Sequence, residues 1–310
     1  MDKKKPNIIF MGTPEFAVPT LEMLNEHFEV KAVVTVPDKP KGRGKKVQPS
    51  DVKVKAIELG LPILQPEKLK DNDFIQHLKS FNPDIMTVLA FRILPEEVFV
   101  IPKIAAFNIH ASLLPKYRGA APINWTIING ENVTGLTSFI LEKKVDTGNI
   151  LLQKSIAIPD GATAGDLHDI MMPEAAQMSI DTCNILINGN YKLIAQDNSQ
   201  ASPAPKIFPD FCRIQWNQHA LTLRNFIHGL SPYPGAWTEW EGKRFKILRV
   251  EFSACGRGSP GEFTIEKDRM TVQCDKGIIT LTEVQPSGKK PMKIHDFLRG
   301  YRGESKGNFS

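Results

Sequence analysis

Residues 7–36 read NIIFMGTPEFAVPTLEMLNEHFEVKAVVTV. Ile8-Ile9-Phe10-Met11 is a short, wholly apolar run of the kind that forms a strand buried on both faces. Gly12-Thr13-Pro14 turns the chain, with Thr13 suited to cap a helix and Pro14 to its first position. Phe16, Leu21 and Leu24 then recur at helical spacing, and residues 30–36 read as the next strand. Strand, helix, strand is a βαβ unit. The alternation continues: Ser50 is placed to cap a helix ending at Gly60, Ile63-Leu64 is a brief strand, and residues 72–80 form a helix. Residues 84–91 and 105–109 are strands of the buried type. The expected fold is α/β: a doubly wound, mostly parallel, Rossmann-like sheet that takes its ligands beyond the carboxyl ends of the strands. A nicotinamide dinucleotide does not suit it, because Gly12 stands alone where Gly-x-Gly-x-x-Gly would bring backbone against a pyrophosphate.

Further along, residues 163–187 are helical, with Pro173 expected to kink or break the helix. Residues 197–210, DNSQASPAPKIFPD, have the Pro, Ser and Ala content of a linker, which divides the chain into domains 1–205 and 206–310. A helix over 220–229 and a turn over 231–235 follow. Then come short strands over 236–240, 244–252, 262–266, 270–274 and 278–284, the spacing of a small OB-like β-barrel.

A chain of 310 residues accommodates two such cores. After Lys3-Lys4-Lys5 the apolar run ends at Met11, too short for a signal-peptide core or a membrane span, so a cytosolic location is expected. Cys183, Cys212, Cys255 and Cys274 show no metal-clip or redox spacing and are expected to be free thiols. Charge is uneven. From residue 206 onward there are 17 Lys/Arg against 11 Asp/Glu, whereas residues 1–205 hold 22 against 23. Residues 39–55 alone carry seven bases against Asp51. Positive charge gathered in one loop and one domain is what a polyanionic partner needs. Within residues 38–50, Gly42, Gly44, Pro40 and Pro49 argue against helix or strand, so a mobile basic loop over the sheet's ligand edge is expected.

The segment that carries chemistry leaves the strand at 105–109. Asn108 and His110 share one face of it, because strand side chains alternate with period two. Asp146-Thr147-Gly148 lies farther on between two strand-like runs, where an Asp-x-Gly turn uses the carboxylate for local bonds and the glycine for positive φ.

The run Asn108-x-His110-x-Ser112-Leu113-Leu114-Pro115-x-x-Arg118-Gly119-x-x-Pro122, followed by Asp146-Thr147-Gly148, resembles the folate-dependent formyltransferase family. Gly12-Thr13-Pro14, the loop Gly42-Arg43-Gly44-Lys45-Lys46 and Gln285-Pro286-Ser287-Gly288-Lys289-Lys290 extend the likeness over nearly the whole chain. They point to the branch that formylates methionyl-tRNA. The resemblance implies 10-formyltetrahydrofolate as donor, and as acceptor the α-amine of methionine on initiator tRNA. It further implies catalytic roles for Asn108, His110 and Asp146, with no metal. Asn108 and a protonated His110 would stabilise the tetrahedral oxyanion, and Asp146 would orient His110 and help remove the amine proton. Ser112, Leu113, Leu114 and Pro115 would border the folate. Ala90-Phe91-Arg92-Ile93-Leu94-Pro95 departs from the tRNA branch, being one residue shorter and lacking a glycine. Its Arg-Ile-Leu centre is similar to the folate-contacting segment of glycinamide ribonucleotide formyltransferases, which implies folate contacts at Phe91, Arg92, Ile93 and Leu94. Arg43 would enter the acceptor stem, with Lys41, Lys45 and Lys46 on phosphates. Two alternatives remain. One is a formyltransferase for a small amine, either a sugar nucleotide or glycinamide ribonucleotide; the other is a non-catalytic nucleic-acid binder, which would have no use for Asn108, His110 and Asp146.

Overall fold

Strand β1 (Asn7–Gly12) is buried at every position, as a strand covered on both faces must be. Pro14 does not open a helix. It caps a 3₁₀ turn, Glu15–Ala17, and helix α1 (Val18–His27) begins only after that turn, with a proline in its own first turn. Proline is tolerated in both places because first-turn N–H groups have no helical partner. The expected Thr13 cap is not made, and its hydroxyl is buried without a partner among the described residues.

The computed structural model describes residues 5–41, 46–256 and 258–309, with the backbone alone for Lys41 and Lys46. From α1 the chain continues through β2 (Glu29–Val34), β3 (Lys39–Lys41), β4 (Lys46–Gln48), α2 (Asp51–Glu58), β5 (Ile63–Leu64), α3 (Asn72–Ser80) and β6 (Ile85–Leu89). Then follow α4 (Glu96–Phe99), β7 (Ala105–His110), α5 (Pro122–Ile128), β8 (Val133–Ile140), β9 (Ile150–Ala157) and α6 (Ala164–Asn188). Caps account for two helix starts: Ser50 Oγ accepts the Lys53 N–H, and the Asp71 carboxylate accepts those of Asp73 and Phe74. Helix α6 runs unbroken through Pro173. Met171, Ala175, Ala176, Met178 and Ile180 are buried around the proline, and that packing outweighs a penalty of about 3 kcal/mol.

The chain forms two compact units. The first comprises Met1–Gly119, Gly135–Ile156 and Asp169–Pro203; the second comprises Ala120–Thr134, Ala157–His168 and Ala204–Ser310. In the first, the strand order is β5-β2-β1-β6-β7-β8-β9. Pairing is parallel from β5 to β7, and β8 joins β7 antiparallel. The order runs outward from β1 in both directions, so the topological switch lies between β1 and β6, the place where sheets of this kind take their ligands. Among the described residues no helix is long and apolar enough to cross a membrane.

The basic loop departs from expectation. Its flanks are a two-stranded ribbon in which Lys39 pairs with Gln48, Pro40 with Val47 and Lys41 with Lys46. Pro40 is compatible with a strand here because each strand of a two-stranded ribbon has a free edge, where a missing N–H leaves no ladder bond unmade. Arg43 and Lys45 lie outside the described residues, as do the side chains of Lys41 and Lys46.

The second unit adds α7 (Ala220–Gly229), β10 (Ala236–Trp240), β11 (Lys243–Ser253), β12 (Glu262–Glu266), β13 (Arg269–Gln273), β14 (Ile278–Pro286), β15 (Met292–Lys293), α8 (Ile294–Gly300) and β16 (Lys306–Asn308). Its antiparallel sheet has the order β10-β11-β14-β13-β12-β16. β10 and β12 are four strand spacings apart, roughly 19 Å in a flat sheet. Yet the rings of Trp240 on β10 and Phe263 on β12 have centroids 5.5 Å apart. The sheet is therefore rolled into a half-barrel. Its interior is aromatic, with Phe245, Phe297, Tyr301 and Phe309 also packed on Trp240.

His228 on α7 is buried, and its Nε2 accepts the Val250 N–H at 3.1 Å. Burial, with Arg224 and Arg249 nearby and Asp166 opposing them, pushes its pKa down to about 4. The unfolded histidine takes up a proton near pH 6.5 and the folded one does not, so stability is lost as pH falls through that interval. The loss reaches about 2 kcal/mol by pH 5. Denaturant midpoints measured between pH 7 and pH 5 should show it, and His228→Gln should flatten that part of the profile.

Candidate active site

The carboxyl end of β7 lies beside that of β6 and against β8. Val88 is in register with Asn108, Asn108 with Phe139, and His110 with Thr137. Asn108 and His110 therefore share one face of the strand, as period two requires. The Asn108 Oδ1 is sealed from solvent with no partner among the described residues. A buried polar atom left so costs about 1–3 kcal/mol, which a bound ligand group would relieve. His110 is 6 % exposed and its Nε2 donates to the Tyr117 carbonyl at 2.7 Å. A carbonyl can only accept, so that nitrogen carries the proton. Nδ1 then faces Asp146 Oδ2 at 3.9 Å, within ion-pair reach but too long for a hydrogen bond. The same Oδ2 accepts the Gly119 N–H at 2.9 Å.

The structure thus brings the three predicted residues together, with a refinement. His110 is oriented by the Tyr117 carbonyl rather than by Asp146, and Asp146 is held by the Gly119 amide. A second refinement concerns the Asp146 turn. Positive φ falls on Asp146 itself, at 55°, and not on Gly148. Gly148 is needed for closeness: a Cβ there would sit 1.7 Å from the Ile140 carbonyl oxygen.

Residues 112–115 are held from behind. Thr137 Oγ1 donates to the Ser112 carbonyl at 2.7 Å and accepts the Leu114 N–H at 3.0 Å. Gln153 Nε2 donates to the Leu114 carbonyl at 2.7 Å. Ser112 is fully buried and its hydroxyl donates to the Lys116 carbonyl, so the side chain braces its own loop. Leu113 occupies space left by Gly135, where a Cβ would lie 2.5 Å from it. Leu114 packs with Phe139, Ile150 and Leu141. Phe91 and Leu94 pack on a second apolar cluster, and Leu141 borders both clusters. Arg92 donates to the carbonyls of Pro66 at 2.8 Å and Glu67 at 3.1 Å, which anchors the segment, while Ile93 is 73 % exposed.

The formyl transferase family model matches residues 6–182, and that of the formyl transferase C-terminal domain matches residues 206–302. The chain belongs to the formyl transferase family. Among curated formyl transferases, the methionyl-tRNA formyltransferase of Azobacteroides pseudotrichonymphae is 45 % identical over 315 residues, covering 97 % of each chain. Among solved structures, the N-formyltransferase from Helicobacter canadensis in complex with folinic acid and dTDP-3-aminofucose matches 92 % of this chain and 100 % of that one. It does so with TM-score 0.65 at 21 % identity. HypX from Aquifex aeolicus in complex with tetrahydrofolic acid matches 96 % of this chain with TM-score 0.63 at 15 % identity; this chain spans about half its length, 47 %. The two structures bear on fold alone.

Residues that sequence reasoning missed here are Tyr117, Gly119, Thr137, Gln153 and Gln196. One signal was available. β8 reads VTGLTSFI, and Thr134, Thr137 and Ser138 are polar in a strand too apolar for a solvent face. Of these, Thr137 makes the bonds to residues 112–114, whereas Ser138 Oγ is buried with no partner among the described residues.

Proposed function

We propose that this chain transfers the formyl group of 10-formyltetrahydrofolate to the α-amine of methionyl initiator tRNA, in the cytoplasm. The arrangement around His110 carries the reading: an amide whose Oδ1 has no partner among the described residues, an imidazole protonated at Nε2 and a carboxylate across from Nδ1. The amine nitrogen attacks the formyl carbon, a C–N bond forms, and the oxygen becomes an oxyanion. Asn108 donates to that oxygen through its amide NH₂; His110, whose Nε2–H is held by the Tyr117 carbonyl, donates through Nδ1 once that nitrogen also carries a proton. The bond from carbon to the folate nitrogen then breaks, and the proton lost by the amine passes by way of Asp146 to the departing tetrahydrofolate. The apolar surface of the half-buried Phe91 and Leu94 suits the folate ring.

The acceptor is supported by the full-length relative and by the charge pattern. Residues 1–205 are assigned to formyl transfer and 206–310 to tRNA contact. Of the basic side chains on β11, Lys246 donates to the Pro234 carbonyl and Arg249 pairs with Asp166. Lys243 and Arg244 are exposed, and Arg244 lies 4.4 Å over the Trp237 ring, a combination that suits phosphate and base. Release of tetrahydrofolate measured with charged initiator tRNA, an amino-sugar nucleotide and glycinamide ribonucleotide tests the reading. Turnover with a small amine alone would overturn it.

The loop gives a separable expectation. Arg43→Ala should lower formylation of initiator tRNA and its discrimination from other tRNAs. Lys45→Ala should weaken tRNA binding uniformly and lower the salt slope by about 1. Donor binding without tRNA should be unchanged in both. Filter binding across a salt series, with formylation rates on initiator and elongator tRNA, reads these effects.

A further inference from the structure

Gln196 lies beyond helix α6, immediately before the stretch that composition marks as a linker, and its amide meets two other segments. Oε1 accepts from the Arg118 guanidinium through Nη2 at 2.6 Å and Nε at 3.1 Å. Nε2 donates to the carbonyls of Asp146 at 3.0 Å and Gly148 at 2.8 Å. These partners fix the amide's orientation. Turned end for end, it would set its NH₂ against the guanidinium and its oxygen against two carbonyls. The stretch itself is docked. Ile194 exchanges both backbone bonds with Ile150, and Ser202 accepts the Arg118 N–H on its carbonyl and the Tyr117 N–H on its hydroxyl, each at 2.9 Å.

What Gln196 grips is the scaffold of the His110–Asp146 pair. Asp146 holds a left-handed φ of 55°, a conformation uncommon for a residue with a side chain although Asp tolerates it better than most, and the Gln196 bonds to the Asp146 and Gly148 carbonyls brace it. Residues 117–119 supply the carbonyl that orients His110 and the amide that orients Asp146. Arg118 sits between those two groups, and Gln196 ties it to the Asp146 turn.

We infer that Gln196 is a positioning residue for the transfer step: it locks the left-handed Asp146 turn to residues 117–119, so that the Asp146 carboxylate faces His110 Nδ1. The inference rests on the formyl-transfer reading above. Gln196 touches no reacting atom. Its effect on rate passes through Asp146.

Two variants test this. Gln196→Glu keeps the size and can still pair with Arg118, but it aims an oxygen at the two carbonyls; Gln196→Ala removes every contact. In both, kcat for methionyl-tRNA formylation should fall about tenfold or more, with KM for donor and for tRNA within about twofold. In an Asp146→Asn background, Gln196→Glu should add no further loss, because the group it acts through is already disabled. Amide hydrogen exchange at Gly119, whose N–H is held by Asp146, should accelerate about tenfold in both variants without any substrate present. Wild-type kcat in Gln196→Glu, a change confined to KM, or a full additive loss on Asp146→Asn would overturn the inference. So would unchanged exchange at Gly119. That last measurement stands apart from the acceptor's identity. A wild-type protein that formylates nothing would defeat the functional reading, whereas Gly119 exchange judges the positioning by itself. If Gln196→Ala fails to fold, the isosteric Glu variant carries the test.

Discussion

His110→Ala and Asn108→Ala should each lower kcat by about 10²-fold or more, with the fold and donor binding retained. The magnitude follows from what each group does. A donor aimed at the developing oxyanion acts most strongly in the transition state, so its removal is felt in kcat rather than KM. Asn108 makes no bond through Oδ1 in the free protein, so its truncation removes no contact of that atom from the fold. His110 is held by the Tyr117 carbonyl, which the Ala variant leaves without that donor, so a modest stability loss should accompany the rate loss. Asp146→Asn keeps shape and can still accept the Gly119 N–H, but it removes the charge facing Nδ1 and should be impaired to a similar degree. Single-turnover rates at saturating donor and tRNA check all three. A folded His110→Ala enzyme with near wild-type turnover would remove His110 from the reaction.

Gly148→Ala should be as damaging, for a steric reason. The added Cβ would lie 1.7 Å from the Ile140 carbonyl oxygen and 3.0 Å from its carbon. Both are backbone, so no rotamer change relieves the overlap. Ile140 is bonded through its N–H to the Asn149 carbonyl and is in register with Phe107 on β7. Moving it disturbs the strand that carries Asn108 and His110, and moving Gly148 displaces Asp146. A stability loss of about 3 kcal/mol or more is expected, along with a rate loss of about 10²-fold. Gly161→Ala is the control. Its φ of 70° strains any side chain, but nothing lies within 4 Å of the new Cβ. It should cost about 1 kcal/mol and leave turnover alone. Thermal unfolding and kcat measured on the pair separate crowding from φ strain.

Much of the fold was legible in the sequence because it is written in short-range signals. Periodicity and caps place α3, α7, β10 and β12 at the bounds observed, and Ser50 caps α2 as expected. Long-range closure is less legible. The ribbon of β3 and β4 was hidden because Gly and Pro argue against strands wherever neighbours are unknown, and it depends on the pairing of residues 39–41 with 46–48. Asn108, His110 and Asp146 could be named, but not their supports: Gln196 reaches Asp146 from 50 residues away and Arg118 from 78. The glycine of the Asp-Thr-Gly turn was attributed to φ when its cause is the approach of Ile140. That distinction is absent from a one-dimensional pattern.

The aromatic interior around Trp240 has a practical consequence. The four tryptophans, Trp125, Trp216, Trp237 and Trp240, all belong to the second unit. Intrinsic indole emission is therefore blind to the half of the chain that holds His110. A denaturation curve followed by that signal reports the second unit alone, whereas far-ultraviolet circular dichroism sums both units. Coincident curves would mark one cooperative transition, and separated curves would show the site melting at its own midpoint. For any variant of Asn108, His110 or Asp146, an unchanged emission profile certifies nothing about the region that was altered.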